Sequence, residues 1–268
     1  MANSSSISAS VSASISVAPS QNVVWISGAS SGIGAAVAAQ VPWADALVYD
    51  ISRSGGGSAA VHIPADLADP ASWVRLGQHF AATIIDRQPA RAVFIHCAAT
   101  LDPIGPAHDV DPDDYGLAVL LNSAAPQVLG AAFLRAVAAA ATPIQATLVL
   151  ISSGAATSVY EGWSAYGAAK AAVDQWVRTA GAEQDRLDHG VQVLSVAPGV
   201  VATGMQQMIR DTDPASFPQV DKFVQLHRQD ELTSPADAAI GIWDVIQRTD
   251  VPSGCVLDLR TYDSDQPG

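Results

Sequence analysis

The sequence predicts an α/β protein in which a single domain is built on one doubly wound parallel sheet. Short apolar runs alternate with helical segments along most of the 268 residues, which is the pattern of β-α units. The runs are apolar throughout rather than alternately apolar and polar, as expected of strands covered by helices on both faces. With 49% hydrophobic residues, the chain can bury a large core. No internal repeat or second domain is predicted.

The N-terminal half opens with the apolar run Val-Val-Trp-Ile, which is followed by a helical segment of small residues. Two more apolar runs precede a helix whose start is well specified, because Asp69 suits the N-cap and Pro70 the first helical position. A further run of β-branched and aromatic residues closes this half. The predicted strands are 23–26, 46–49, 60–63 and 92–95, and the predicted helices are 32–41 and 70–87.

The C-terminal half continues the same alternation with longer, alanine-rich helical segments. Each is separated from the next by a short run rich in valine, leucine and isoleucine, which favours strands. The predicted helices are 112–139, 163–187 and 235–248, and the predicted strands are 147–151, 191–196 and 255–259.

Residues 1–22 differ in composition from the rest of the chain. Serine dominates, there is no basic segment or continuous apolar segment, and a secretory signal is therefore not expected. The alternation of serine with apolar residues from Ser6 to Val17 is compatible with a strand. We expect a disordered tail instead, because no charge or turn chemistry frames this segment. The folded domain is then predicted to span residues 23–268.

Charge and cysteine content exclude several classes of partner. The net charge of −13 argues against nucleic acid and anionic lipid, both of which attract basic surfaces. No apolar run is judged to approach the roughly 20 residues that cross a bilayer, so no membrane partner is expected. Cys97 and Cys255 are too few for a disulfide framework. The prediction is a cytoplasmic protein in a reducing compartment.

A glycine-rich turn follows the first predicted strand and opens the first helix. It reads Ser27-Gly28-Ala29-Ser30-Ser31-Gly32-Ile33-Gly34. Glycines let the backbone turn tightly and approach a pyrophosphate, and the helix N-terminus offers free N–H groups with partial positive charge. The spacing is G-x-x-x-G-x-G rather than the G-x-G-x-x-G of many dinucleotide folds. The position after the first strand nevertheless predicts a nucleotide site.

The end of the second strand bears on the choice of nucleotide. An acidic residue at its tip would hold the ribose 2′-OH of NAD, whereas an arginine suits the 2′-phosphate of NADP. We place Ser52 at the tip and Arg53 beside it, and Arg53 is the only arginine or lysine in residues 1–74. This favours NADP(H). If the strand is one or two residues shorter, Asp50 reaches the ribose and NAD(H) is favoured instead.

The clearest chemical signal is the pair Tyr166 and Lys170. The chain has only two lysines, and Lys170 lies four residues after Tyr166, so both side chains share one helix face. An ammonium group beside a phenol stabilises the tyrosinate, which predicts a Tyr166 pKa below its usual value near ~10. Such a tyrosine can exchange protons near neutral pH.

Together, the glycine turn and this pair resemble the short-chain dehydrogenase/reductase family over roughly residues 22–260. The resemblance implies that Ser153 and Asn122 join Tyr166 and Lys170 as catalytic residues, with Ser152 the alternative to Ser153. It implies an adenine contact at Asp66 and Leu67. It further implies that Val201 and Thr203, in the segment 198–203, hold the nicotinamide. Lys170, Asn122 and Tyr166 are also expected beside the cofactor.

Two positions depart from the family pattern. Where the family has Asn-Asn-Ala-Gly after the fourth strand, this chain has His96-Cys97-Ala98-Ala99. His96 could be catalytic, but we expect a structural histidine with satisfied hydrogen bonds. Ser27 replaces the usual threonine before the first glycine, and it keeps a hydroxyl.

The resemblance is closer to the sepiapterin-reductase-like branch, which includes benzil reductases. It implies NADPH-dependent reduction of a small-molecule carbonyl, of the bulky aromatic 1,2-diketone type, to a hydroxyketone. Leu101, Trp163 and Met205, with Tyr160 and Met208, could form an apolar wall for the substrate. Equally, Trp163 could cap a helix while the methionines pack a lid. Residues 204–233, which contain two prolines, are predicted to be a mobile substrate lid.

Other functions stay open at this stage. Within enzymes, the alternatives are a 3-oxoacyl-thioester reductase and a general alcohol dehydrogenase, although sparse arginines argue against docking an acidic carrier protein. A non-catalytic NADPH sensor would keep the glycine turn but usually lose the tyrosine or the lysine. No metal ligand set is predicted. The resemblance also implies a homo-oligomer, a dimer or tetramer, for which the alanine-rich segment 131–141 would permit close helix packing.

Overall fold

The structure, a computed structural model, describes residues 22–56 and 60–262. Its centre is one sheet of seven parallel strands, which confirms the predicted fold class. The strands are β1 Asn22–Ser27, β2 Leu47–Ser52, β3 Val61–Pro64, β4 Arg91–His96, β5 Gln145–Ile151, β6 Gln192–Ala197 and β7 Val256–Asp258. Their order is β3-β2-β1-β4-β5-β6-β7, so the direction of winding reverses between β1 and β4. Ligands of such sheets bind beyond the carboxyl ends of the strands at this reversal.

Eight α-helices connect and cover the strands within the described part of the chain. They are α1 Gly32–Ala39, α2 Pro70–Arg87, α3 Pro112–Val119, α4 Ala125–Ala138, α5 Ser164–Gln184, α6 Gly204–Asp211, α7 Val220–Arg228 and α8 Pro235–Gln247. The predicted helix 112–139 is present, but a π-helical turn, Leu120–Ala124, divides it into α3 and α4. The segment 204–233, for which no helix was predicted, contains α6 and α7.

The sheet separates two apolar cores. Val23 and Trp25 face the core formed with α2, α4 and α5, whereas Val24 and Ile26 face the core formed with α1 and α8. Because neighbouring residues of a strand point to opposite faces, burial of both faces favours apolar side chains at most positions. This explains why β1 reads as a continuous apolar run.

Two sequence expectations need correction at the level of the fold. Asn22, assigned to the tail, is the first residue of β1 and pairs with Arg91, while residues 1–21 lie outside the described residues. Contrary to the expectation that no apolar run approaches membrane length, the continuous helix 112–138 is long and apolar enough to span a bilayer. Leu129 and Phe133 of this helix are fully buried against the sheet, as in a core helix.

Candidate active site

The glycine turn brings backbone against backbone at the carboxyl end of β1. Gly28 has a φ of +71° and Gly32 a φ of +54°, values that side chains other than glycine disfavour. A β-carbon at Gly34 would lie 2.3 Å from the carbonyl oxygen of Gly28, and one at Gly28 would lie 3.0 Å from the Cα of Ala98. The turn therefore closes only with glycine at these positions, and it leads directly into the N-terminus of α1.

Two contacts join this turn to the segments that follow β4 and β6. The Ser27 hydroxyl accepts hydrogen bonds from the backbone N–H groups of Cys97 (3.1 Å) and Ala98 (3.2 Å) after β4. The Thr203 methyl group lies 3.4 Å from the position of a β-carbon at Gly32. The predicted cofactor residues after β1 and β6 are thus adjacent in space, although about 170 positions separate them in the sequence.

The second strand extends three residues beyond the predicted range of 46–49 and ends at Ser52, the residue placed at its tip. Ser52 is the last residue of β2, and the exposed Arg53 follows it. Asp50 is 1% exposed, and its Oδ2 accepts a hydrogen bond of 2.9 Å from the N–H of Gly56. The shorter strand, on which Asp50 was expected to reach a ribose, is not found.

The remaining predicted cofactor residues lie in loops at the same edge of the sheet. Leu67 is buried, and its carbonyl accepts a hydrogen bond of 2.9 Å from the Trp73 indole. Asp66 is exposed, and its carboxylate accepts from the N–H of Ala68 at 3.0 Å, which shapes the loop. Val201 forms an isolated parallel bridge with Thr233.

Tyr166 and Lys170 lie one turn apart on α5, and both are buried, with exposures of 7% and 4%. The Lys170 Nζ donates a hydrogen bond of 2.7 Å to the carbonyl of Ile151 at the end of β5. Ser153, two residues further along, lies near enough for its side chain to lower the pKa of Tyr166, and its hydroxyl also accepts a hydrogen bond of 3.2 Å from the N–H of Ala155. The Ser152 hydroxyl is buried and has no partner within the described residues. The structure therefore places Ser153, and not Ser152, beside the phenol.

The electrostatics of this pair differ from the sequence prediction. Burial raises the pKa of Tyr166, and the hydrogen bond from Ser153 offsets only part of that rise. The Lys170 ammonium donates its hydrogen bond to a backbone carbonyl and not to the phenol, and it lies 5.6 Å from the centroid of the Tyr166 ring, so it does not offset the effect of burial. The prediction of a lowered Tyr166 pKa is therefore wrong for the protein by itself. Burial lowers the pKa of Lys170 to about 8, despite the opposing effect of Asp174.

Asn122 lies in the π-helical turn between α3 and α4. Its Nδ2 donates to the carbonyl of Thr100 at 2.8 Å, and its Oδ1 accepts from the N–H of the same residue at 2.9 Å. Single π-helical turns often mark functional sites, because the extra residue re-aims a side chain out of the regular helix. Here the amide fixes the loop that carries Leu101.

His96 is buried but not satisfied, which corrects the sequence expectation. It is 2% exposed, and neither ring nitrogen has a geometrically acceptable hydrogen-bond partner within the described residues. Burial and the charge of Lys170 lower its pKa to about 3, so the imidazole is neutral at physiological pH. Its neighbour Cys97 has a thiol pKa raised to about 12 by burial, which leaves little thiolate for nucleophilic chemistry.

The predicted substrate residues lie around a separate apolar cluster that also contains Tyr166. Leu101 and Trp163 are buried in it, and Met205 packs against it, whereas Met208 is 41% exposed and lies outside. Trp163 occupies the N-cap position of α5, but its side chain makes no capping hydrogen bond. We use the name aromatic cluster for the four rings packed together at this point, which are Tyr160, Trp163, Phe217 and Phe223.

The segment 204–233 contributes half of that cluster, which sequence reasoning missed. Phe217 is fully buried and stacks on Trp163, with ring centroids 4.4 Å apart and planes 12° from parallel. The spacing of Val220, Phe223 and Val224 along α7 was the available signal for a packed helix. The two ends of the segment are joined by a hydrogen bond of 3.0 Å, which the Thr233 N–H donates to the Val200 carbonyl.

Comparisons with known proteins agree with this site. The sequence profile of the short chain dehydrogenase family matches residues 22–214, and the chain belongs to that family. It is 28% identical to benzil reductase ((S)-benzoin forming) of Bacillus cereus over 88% of this chain and 98% of that protein. It is 35% identical to sepiapterin reductase of Rattus norvegicus over 42% and 41% of the two chains. These relatives match the predicted branch.

The fold has a solved counterpart. A short chain dehydrogenase/reductase from Saccharomyces cerevisiae superposes with a TM-score of 0.76 at 21% identity, over 91% of this chain and 98% of that one.

Within residues 22–56 and 60–262, no group of three or more histidine, cysteine or acidic side chains is arranged to hold a metal ion. The chain is thus an oxidoreductase of the short-chain dehydrogenase family.

Proposed function

We propose that this protein is an NADPH-dependent carbonyl reductase that converts bulky or aromatic 1,2-diketones to hydroxyketones. The observation that carries the proposal is the position of Tyr166. Its phenol meets Ser153 on one side and belongs to an apolar cluster with Trp163 on the other. A carbonyl oxygen between the two hydroxyls would leave the rest of an apolar substrate against the cluster.

The residues at the carboxyl edge of the sheet fit a dinucleotide. The backbone turn from Gly28 to Gly34 has no space for larger side chains, and it opens onto the N-terminus of α1, which suits a pyrophosphate. Arg53 at the end of β2 would hold the 2′-phosphate, which favours NADP(H) over NAD(H). The other residues proposed to hold it are Ser30, Ser31, Gly32, Ile33, Asp66, Leu67, Asn122, Tyr166, Lys170, Val201 and Thr203. When bound, NADPH supplies the hydride that the carbonyl carbon receives.

The chain's own residues handle the proton and the charge. Ser153 donates a hydrogen bond to the carbonyl oxygen, where negative charge develops. Tyr166 transfers its phenolic proton to that oxygen, so that C=O becomes CH–OH. Burial keeps the phenol protonated at neutral pH, so the proton is present for this transfer. The Lys170 ammonium then stabilises the tyrosinate, and Asn122 fixes the loop at Thr100 and anchors the water that returns the proton.

The diketone is proposed from the aromatic cluster and from the relative in Bacillus cereus, whose name specifies benzil and (S)-benzoin. Aromatic rings pack well on other rings, so an aryl ketone gains more here than an aliphatic one. A 3-oxoacyl-thioester reductase is the second candidate, because the same proton-handling residues would serve it. A general alcohol dehydrogenase is the third.

A panel of carbonyls tested with both cofactors decides among these candidates. We expect oxidation of NADPH to be fastest with benzil, slower with a simple aryl ketone and slowest with an acetoacetyl thioester. With Arg53→Ala, the preference for NADPH over NADH should fall about tenfold, the loss of one charge-assisted contact. Arg87→Ala, which removes another arginine far along α2, is the matched control. A protein that binds NADPH but oxidises it with no carbonyl would be a sensor instead.

We also propose that the protein forms a homo-oligomer through α3 and α4. Leu117, Val119 and Val128 are 50%, 42% and 44% exposed on this helical segment, and an apolar surface of this kind is costly in water. Light scattering coupled to size-exclusion chromatography tests this. A monomer at micromolar concentration would contradict it.

A further inference from the structure

The second lysine of the chain, Lys222, lies at the edge of the aromatic cluster. It belongs to α7, and its Nζ donates a hydrogen bond of 2.7 Å to the Tyr160 hydroxyl. The same atom lies 4.9 Å from the centroid of the Tyr160 ring and 5.6 Å from that of Phe223. Both lysines of the protein thus lie within this small region, one beneath the catalytic tyrosine and one at the rim.

No carboxylate within residues 22–56 and 60–262 forms an ion pair with Lys222. Among the described residues, ion pairs join His108 to Asp109, Arg248 to Asp250 and Arg260 to Asp258, and none involves Lys222. This is notable in a chain with a net charge of −13, in which acidic side chains outnumber basic ones twofold. An ammonium that binds a neutral phenol in such a protein keeps its full charge available for a ligand.

A nearby arginine, Arg260, does not present an uncompensated positive charge. Arg260 follows β7, and its Nη2 lies 3.6 Å from the position of a β-carbon at Gly154, next to Ser153. Its guanidinium, however, pairs with the Asp258 carboxylate through two nitrogens. Arg260 therefore adds little net charge, and Lys222 is the cation that an incoming anion would meet.

We propose that Lys222 and Tyr160 recognise a carboxylate on the carbonyl substrate, a proposal that rests on the function proposed above. Three N–H groups belong to the ammonium and one of them is used by Tyr160, so two remain. Because the Tyr160 oxygen accepts from Lys222, its own proton is free to be donated. The site therefore offers three donors and one positive charge, which matches a carboxylate.

The positions of the neighbouring rings indicate where the carboxylate of the substrate would lie relative to the reacting carbonyl. The Trp163 ring separates Tyr160 from the catalytic phenol, with centroids 4.9 Å from Tyr160 and 5.7 Å from Tyr166. An aryl ring packed on the aromatic cluster would therefore extend from the reacting carbonyl toward the ammonium. The substrate class is an aryl ketone or aryl diketone with a carboxylate on the far side of the ring, such as benzil substituted with a para-carboxylate.

Two matched substrates test the proposal, para-carboxybenzil and its methyl ester, which differ by one charge. For the wild-type protein we expect kcat/KM to be higher for the acid than for the ester. In Lys222→Met the acid-to-ester ratio of kcat/KM should fall about tenfold, as expected for one charge-assisted hydrogen bond. Lys222→Arg should restore most of the ratio, and added salt should reduce it in the wild type.

Arg228→Met is the matched control, because it removes the same charge from the same helix, about 9 Å further along at ~1.5 Å per residue. It should leave the ratio unchanged. An equal loss for acid and ester in Lys222→Met would mean that the lysine only fixes α7 to Tyr160, which overturns the proposal. A wild-type protein that reduces benzil and the ester but shows no preference for the acid also overturns it. Failure to reduce any carbonyl overturns instead the proposed function.

Discussion

The two halves of the site are built by different physical means. The cofactor half, around Gly28 and Gly34, consists of backbone segments packed so closely that a β-carbon has no room. The substrate half, around Trp163 and Phe217, consists of large side chains, and half of its rings lie on a segment that leaves the body at Val200 and returns at Thr233. Backbone contacts fix one geometry, whereas stacked rings can be exchanged for other rings. The family fold is thus rigid where the cofactor is proposed to bind and adaptable where the substrate is.

Tyr166 belongs to both halves, and its replacement should have the largest effect. Tyr166→Phe keeps the ring in the cluster but removes the proton donor, so we expect turnover to fall by roughly 10²- to 10⁴-fold. Binding of NADPH, followed by fluorescence titration, should persist. Tyr160→Phe removes a hydroxyl from the same cluster and should cost far less turnover. Near-normal turnover of purified Tyr166→Phe would contradict the assignment of the catalytic residues.

Removal of a ring from the substrate half should loosen that half alone. Phe217→Ala deletes a fully buried side chain, a change that typically costs about 3–5 kcal/mol in a protein core. We expect faster amide hydrogen exchange in α6 and α7 while exchange in α1 is unchanged. Phe217→Leu, which keeps most of the apolar volume, should show a smaller effect. Uniformly faster exchange throughout the protein would mean that the two halves are not separable.

A methyl group added to the cofactor half should destabilise the glycine turn and weaken the binding of NADPH. In Gly34→Ala the new β-carbon would lie 2.3 Å from the Gly28 carbonyl oxygen, so the turn must shift, at a cost of about 1–3 kcal/mol. Thermal unfolding and NADPH titration should both show the loss. Gly116→Ala is the control, because nothing lies within 4 Å of its β-carbon position, and it should be neutral or stabilising. Equal behaviour of the two variants would refute the close-packed turn.

The smallest predicted effect concerns acid stability and His96, which lies between the halves. Its pKa is about 3 in the folded protein and near ~6.5 in the unfolded chain, so only the unfolded chain takes up this proton between these values. Stability contributed by His96 is complete above about pH 6.5 and is lost as the pH falls, by up to about 1.4 kcal/mol per pH unit. Urea unfolding at pH 7 and pH 5 should show a smaller difference for His96→Asn than for the wild type. An unchanged difference would argue that His96 titrates freely in the folded protein.

Much of the fold was determined by local sequence. The continuous apolar runs fixed the strands, because burial on both faces of a sheet favours apolar side chains at most positions. Asp69 and Pro70 fixed the start of α2, where the Asp69 carboxylate does accept from the N–H of Ala71. Within the site, the spacing of Tyr166 and Lys170 placed both on one helix face, since that relation depends only on helix geometry.

Only the tertiary structure decided the features that depend on distant parts of the chain. The hydrogen bonds between Asn122 and Thr100 and the stacking of Phe217 on Trp163 join segments far apart in sequence, and the burial of His96 depends on the elements packed around β4. The direction of the Tyr166 pKa shift is the clearest case. Sequence spacing supplied the neighbouring ammonium, but burial, which local sequence does not reveal, raises the pKa, and the hydrogen bond from Ser153 offsets only part of that rise. Local spacing determines which groups can meet, and packing determines how water and charge act on them.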